Sequence, residues 1–192
     1  TRTEGACVTD LTPITALGAT APAQLRAGAL TITENAGLAL ASLSLRAGQP
    51  QPMPFGLTLP GPGAWVAGDD LAAFWTAPGQ WMIESEGRAE SGFAAALAAE
   101  APGCAITEQT DGWTAFEIDG PPEAIRALLE KLVNIDAAGL TPGHATRTGL
   151  HHMGAFLIRR AGDRLAVIGM RSLAAALWHA LTETAKRQGE TA

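Results

Sequence analysis

Apolar positions recur every three to four residues in two stretches of the chain and on every second residue in several others, so the sequence reads as a mixture of helices and strands. The clearest helical stripe lies in residues 121–133. Ile125, Leu128, Leu129, Leu132 and Val133 share one side there, while Glu123, Arg126 and Glu130 take the other. Gly120-Pro121-Pro122 opens this helix, because first-turn amides have no intrahelical acceptor and proline costs nothing there. A second stripe, Leu173, Leu177, Trp178 and Leu181, predicts a helix over 172–187, with Ser172 as its cap and Lys186 and Arg187 suited to the negative helix end. A short alanine-rich helix over 91–100 stops at Pro102-Gly103.

The alternating stretches predict hairpins. Residues 29–45 read as one hairpin around Asn35-Ala36-Gly37, with a slip of the alternation between Leu40 and Leu43 that suggests a bulge at Ala41 or Ser42. Strands 71–76 and 80–84 flank Ala77-Pro78-Gly79, strands 105–110 and 113–119 flank Asp111-Gly112, and strands 155–160 and 164–170 flank Ala161-Gly162-Asp163, with a further strand at 145–150. Hairpin followed by helix thus occurs three times, over 71–100, 105–133 and 155–187. This pattern implies an α+β fold of antiparallel sheets with covering helices and ferredoxin-like halves, whose open sheet face must meet something else. The expected organisation is an extended arm over 1–28, a first α+β half over 29–103 and a second over 104–192, or one compact unit. Between them, residues 49–63 hold five prolines and predict a long loop, either a connector or, through Met53, Phe55, Leu57 and Leu59, a docking loop.

At 192 residues the chain can bury roughly 70% of its unfolded surface without staples. Cys7 and Cys104, two thiols far apart, form no disulfide framework or metal spacing and suit a reducing compartment. A net charge of −6, spread without runs, argues against nucleic acid. The first residues lack an apolar signal core and the longest early charge-free window is broken by prolines, so a cytoplasmic protein without membrane contact is expected. The complete absence of tyrosine removes any phenol from the chemistry.

Candidate chemistry is thin. His151 and His152 are adjacent, and on an extended strand they would point to opposite faces, so a metal site would need His144 or His179 as well. No serine stands in a nucleophile elbow, neither cysteine has a nearby histidine, and Gly61-Pro62-Gly63 loses to its proline an amide that a phosphate would need. Asp119 and Asp136 read as helix-end caps. The arginines Arg147, Arg159, Arg160 and Arg171 stand on or beside the last hairpin, where they can hold a carboxylate-bearing ligand or pair with acids of a partner chain.

Asp111-Gly112-Trp113, Gly120-Pro121 opening the helix through Leu128-Leu129-Glu130-Lys131-Leu132, the run from Gly149 to Arg160, and Met170-Arg171-Ser172 with Leu177-Trp178-His179-Ala180-Leu181 together resemble the gamma-subunit family of heterotetrameric sarcosine oxidases. The resemblance runs from about Leu25 onward and is most specific in the C-terminal half. It implies the folate-binding aminomethyltransferase fold and a cytoplasmic complex with alpha, beta and delta subunits. That complex oxidises sarcosine to glycine and hydrogen peroxide, passing the one-carbon unit to tetrahydrofolate. It also implies that FAD, FMN, NAD, tetrahydrofolate and zinc belong to the partner subunits. Where aminomethyltransferases carry an acid, this chain has Gly154-Ala155-Phe156. No catalytic, cofactor-binding or metal-binding residue is therefore expected on it, and the rival reading is a stand-alone folate-binding or aminomethyl-transfer protein. Trp65, Trp75 and Trp81 are candidates for an apolar interface through which the isolated chain could self-associate.

Overall fold

The computed structural model describes residues 12–189. Two antiparallel sheets lie face to face, with helices on both outer sides. The six-stranded sheet has the order β1 (Gln24–Ala27), β2 (Leu30–Glu34), β8 (Trp113–Asp119), β11 (Arg164–Met170), β10 (Met153–Ala161), β9 (His144–Leu150). The five-stranded sheet has the order β4 (Trp65–Ala67), β5 (Ala72–Ala77), β6 (Gln80–Ser85), β3 (Ala39–Leu45), β7 (Cys104–Glu108). Helices α2 (Pro122–Leu132) and α3 (Ala174–Gly189) cover the outer face of the larger sheet, and α1 (Phe93–Glu100) that of the smaller. The α+β class with antiparallel sheets follows from these pairings.

Three cores result, and strand periodicity decides which of them each buried apolar side chain enters. On β10, Ala155 and Leu157 face the helices while Phe156 and Ile158 face the other sheet. On β6, Trp81 and Ile83 face α1 while Met82 points inward. The middle layer is built on Phe74, whose ring centroid lies 4.9 Å from that of Phe156, and on Trp113, 5.4 Å from the same ring. The sheet face that sequence left open is thus filled by the second sheet.

Two expected hairpins are absent. β2 and β3 do not pair with each other: Asn35 and its neighbours carry the chain from the larger sheet to the smaller. Likewise Thr110–Gly112 is a 3-10 turn across which β7, paired with β3, gives way to β8, paired with β2 and β11. In both places the two strands belong to different sheets, so the turn between them crosses from one sheet to the other instead of closing a hairpin. The expected bulge in β3 is absent too. Its register against β6 runs unbroken; Leu38 and Leu40 enter the middle core, and Leu43 the core under α1, so a strand buried on both faces imitated a slip. The predicted hairpins 71–84 and 155–170 form, as do all three helices.

Within the expected arm, residues 24–27 pair with β2 as an edge strand. The proline-rich loop carries only a 3-10 turn, Pro54–Gly56, but it is no loose connector. Leu57 and Leu59 are buried under the smaller sheet, and the Trp81 indole N–H donates to the Pro60 carbonyl at 2.7 Å. Ser172 lies inside the turn Arg171–Leu173 that leads into α3, a turn without a side-chain cap. Asp119 ends β8 and does not cap α2, whose cap position is Pro121. Asp136 accepts from the Ala138 amide at 3.1 Å in a local turn.

Candidate functional site

Four charged residues meet in the middle layer, which is otherwise apolar. Counting in twos along the strands from Ala115 on β8 and Ile158 on β10 brings Glu117 and Arg160 to the inner face, and counting from Met82 brings Glu84 there from the opposite sheet. Arg164 joins them from the start of β11. Arg160 occupies a register shift between Arg159 and Ala161, the kind of extra residue that bends a strand and re-aims a side chain.

The guanidinium of Arg160 spans both sheets. Its Nη2 reaches Glu84 Oε2 at 2.5 Å, and its Nε reaches Glu117 Oε1 at 3.1 Å and Oε2 at 3.2 Å. Arg164 Nε donates to Glu117 Oε2 at 3.1 Å, and the Trp65 indole N–H to Glu84 Oε1 at 3.0 Å. Arg160 also lies 5.4 Å from the Trp65 ring centroid. The side chains of Arg160, Glu84 and Glu117 are 9%, 2% and 6% exposed.

Burial pushes the Glu84 carboxyl above its ordinary value, and Arg160 only partly offsets this because Glu117 repels it from beside the same cation. Burial likewise disfavours the Arg160 charge, yet two carboxylates outweigh that penalty and its pKa is raised. Desolvation therefore dominates at Glu84, and the attraction of two carboxylates dominates at Arg160.

Glu84, Arg160, Arg164 and Trp65 of this network line a cavity of about 680 Å³. Its rim is made by the β4–β5 turn with Asp69 and Asp70, the β10–β11 turn at Ala161, the segment after β6 with Glu86 and Arg88, and Phe55 of the proline-rich loop. A smaller cavity of about 250 Å³ lies where Arg171 donates to the Ile14 carbonyl at 2.9 Å. Beside it, buried Glu34 accepts the amides of Leu17 at 3.0 Å and Ala23 at 3.1 Å, which ties residues 12–23 to the fold.

The arginines singled out in sequence do not gather. Arg160 alone of them is buried in the middle layer; Arg159 points to the helix side and donates to the Gly162 carbonyl, its pKa lowered by burial against the pull of Asp163. Exposed Arg147 lies over the Phe156 ring at 5.6 Å, and Arg171 is at the smaller cavity. Their ion pairs with a partner are replaced, for Arg160, by acids of this same chain. Glu84, Glu117 and Arg164 were not picked out in sequence. The available signal was a lone charge inside an apolar strand, as in Trp81-Met82-Ile83-Glu84 and Ala115-Phe116-Glu117-Ile118.

His151 and His152 sit on no strand. They are exposed and form the two-residue turn between β9 and β10 with φ of 45° and 69°, the left-handed geometry such turns demand. His144 Nδ1 lies 2.7 Å from the Thr141 hydroxyl. Among the described residues no three of His, Cys, Asp or Glu are gathered as a metal site. Cys104 is buried, which pushes its thiol up against the pull of Arg46, and Cys7 lies outside the described residues. Trp81 is buried and Trp65 and Trp75 are half-buried, so they are not the exposed interface expected; Ile14, Met53, Phe55 and Met170 are the exposed large apolar side chains among the described residues. No described helix is long and apolar enough to cross a membrane.

No protein-family model and no curated protein matches the chain. Among solved structures it is similar to a chain of the heterotetrameric sarcosine oxidase from Corynebacterium sp. U-96, solved in complex with pyrrole 2-carboxylate. The TM-score is 0.71 and identity 18%, over 86% of this chain and 88% of that one. It is also similar to the glycine cleavage system aminomethyltransferase T from Bartonella henselae, with TM-score 0.58 and identity 17%, over 81% of this chain and 46% of that one. At these identities the likeness is one of fold.

Proposed function

We propose that this chain is the gamma subunit of a heterotetrameric sarcosine oxidase, a non-catalytic polypeptide that stabilises its alpha, beta and delta partners. The complex would oxidise sarcosine to glycine with formation of hydrogen peroxide and 5,10-methylenetetrahydrofolate, in the cytoplasm. The observation that carries this reading is the reciprocal match to a chain of that oxidase: both chains are covered almost end to end, so they are close in length as well as fold. FAD, FMN, NAD, tetrahydrofolate and zinc are assigned to the partner subunits.

The charge arrangement supports a structural role. A general acid or base must be free to exchange a proton with a substrate, whereas the buried carboxylates of Glu84 and Glu117 are held by Arg160, Arg164 and Trp65. Such a network fixes the mutual position of two sheets. The second reading, a stand-alone folate-binding or aminomethyl-transfer protein, draws on the likeness to the aminomethyltransferase and on Arg160 and Arg164 at the cavity of about 680 Å³.

Co-expression of this chain, tagged, with the alpha, beta and delta subunits separates the two. A yellow complex with sarcosine-dependent peroxide formation, lost when this chain is omitted, is the expected result. A colourless chain that stays alone and binds tetrahydrofolate would replace it with the second reading.

A further inference from the structure

We propose that the larger cavity is the anchor site for an arginine or lysine side chain of a partner polypeptide, received between Phe55 and the carboxylates of Asp69 and Asp70. This rests on the reading of the chain as a subunit and names where a partner enters it.

The charge balance of the cavity selects a cation. Two of its guanidiniums are held in ion pairs, Arg160 with Glu84 and Glu117 and Arg164 with Glu117, and the third, Arg88, lies over the Phe93 ring at 5.3 Å from the centroid. Of the acids, Glu84 is held as described and Glu86 accepts the Asn35 side-chain amide at 3.0 Å. Asp69 and Asp70 remain, exposed at the rim, and among the described residues neither carboxylate has a hydrogen bond or ion pair. Four carboxylates and three guanidiniums line the cavity, two of those guanidiniums also pair with Glu117 behind it, and a cation that enters gains Asp69 and Asp70 as partners.

An independent observation concerns Phe55. It holds φ 49°, the left-handed region that a bulky residue avoids, and its ring is 47% exposed at the mouth of this cavity. Met53, on the same turn of loop, is 60% exposed. The loop behind them is fixed by buried Pro54, Leu57 and Leu59, so the two apolar groups are presented on a rigid base and lose little freedom when covered. An aromatic ring and two carboxylates on one cavity are groups a guanidinium favours: it can stack on a ring and donate to a carboxylate with its planar fork. Arginine is also among the side chains that dominate protein interfaces.

The test uses the full chain in two settings. In the first, Nα-acetyl-arginine amide is titrated into the ¹⁵N-labelled protein, with the Trp65 indole N–H at the cavity as reporter and the amides of acetyl-glutamate and acetyl-norleucine as comparisons. A saturable shift with the arginine probe alone, abolished in D69N/D70N, is expected. In the second, this chain is assembled with the alpha, beta and delta subunits. D69N/D70N is expected to weaken assembly at least tenfold and to flatten its salt dependence, while E123Q/E130Q on the exposed side of α2 leaves both unchanged. A Trp65 response to the glutamate probe, or wild-type assembly by D69N/D70N carrying F55S, overturns the proposal. Arginine binding by a chain that assembles with none of these subunits retires the subunit reading and leaves the basic-anchor site standing.

Discussion

Arg160→Met removes the one cation that both sheets share. Glu84 would keep only the Trp65 indole N–H, and Glu117 would keep Arg164, whose side chain is 44% exposed. Truncating one partner of a buried ion pair costs about 3–5 kcal/mol, because the remaining charge stays desolvated. Methionine returns about 1 kcal/mol through apolar contact with Trp65 and the middle core. Glu84 can limit the damage further by taking a proton, at about 1.4 kcal/mol for each unit its pKa rises. The net expectation is a loss of about 3 kcal/mol at pH 8 and a smaller loss at pH 5.

The sign of the pH dependence follows from Glu84. Its folded pKa lies above its unfolded value, so the folded state binds its proton more tightly. The stability this confers is fully present below the unfolded pKa, near the ordinary 4.5, and is lost as pH rises through the folded value. Without Arg160 the folded value moves up and the window widens. Urea denaturation followed by tryptophan fluorescence at several pH values measures this, and the difference between R160M and R160M/E84Q isolates the Glu84 contribution. Equal stability of R160M and wild type, or a loss independent of pH, would refute the argument that Arg160 neutralises buried acids.

Other variants test the architecture. Gly120→Ala places a Cβ 2.8 Å from the Ala29 carbonyl oxygen and 2.7 Å from Leu30 Cδ2 where α2 leaves β8, so a loss of about 1–3 kcal/mol in chemical denaturation is expected. Replacing His151-His152 by Asn-Gly gives the β9–β10 turn residues that tolerate its positive φ; stability in chemical denaturation should rise by about 1 kcal/mol or more. Trp81→Phe leaves the Pro60 carbonyl without its donor, and a loss of about 1–3 kcal/mol with faster amide exchange around residues 57–60 is expected.

The three helices and the hairpins of β5–β6 and β10–β11 were legible because their signals are local: a stripe on one side of a helix, or two strands joined by a short turn. The Asp111-Gly112 and Asn35-Ala36-Gly37 turns misled because a turn sequence fixes the direction of the chain but not the sheet it enters. Leu40 and Leu43 looked out of phase because β3 is apolar on both faces, and alternation carries information only when one face is wet. The ion network was half legible. Arg160 stood out beside a hairpin turn, but Glu84 lies 76 residues away and Glu117 43, and nothing local joins them.

The interleaving of the two sheets along the chain also dictates an order of events during synthesis. β2, complete at Glu34, has its inner neighbour in β8, which begins at Trp113, and β3 waits for β7 at Cys104 on one side. Neither sheet can close while the ribosome has delivered only the first half of the chain, and apolar strands remain uncovered until the second half emerges. Non-local pairing of this kind slows folding and lengthens the time during which strand edges can pair wrongly. The larger sheet is therefore expected to become protected from amide exchange as a unit, and only after β8 is available. A chain truncated before Trp113 should be insoluble rather than half folded.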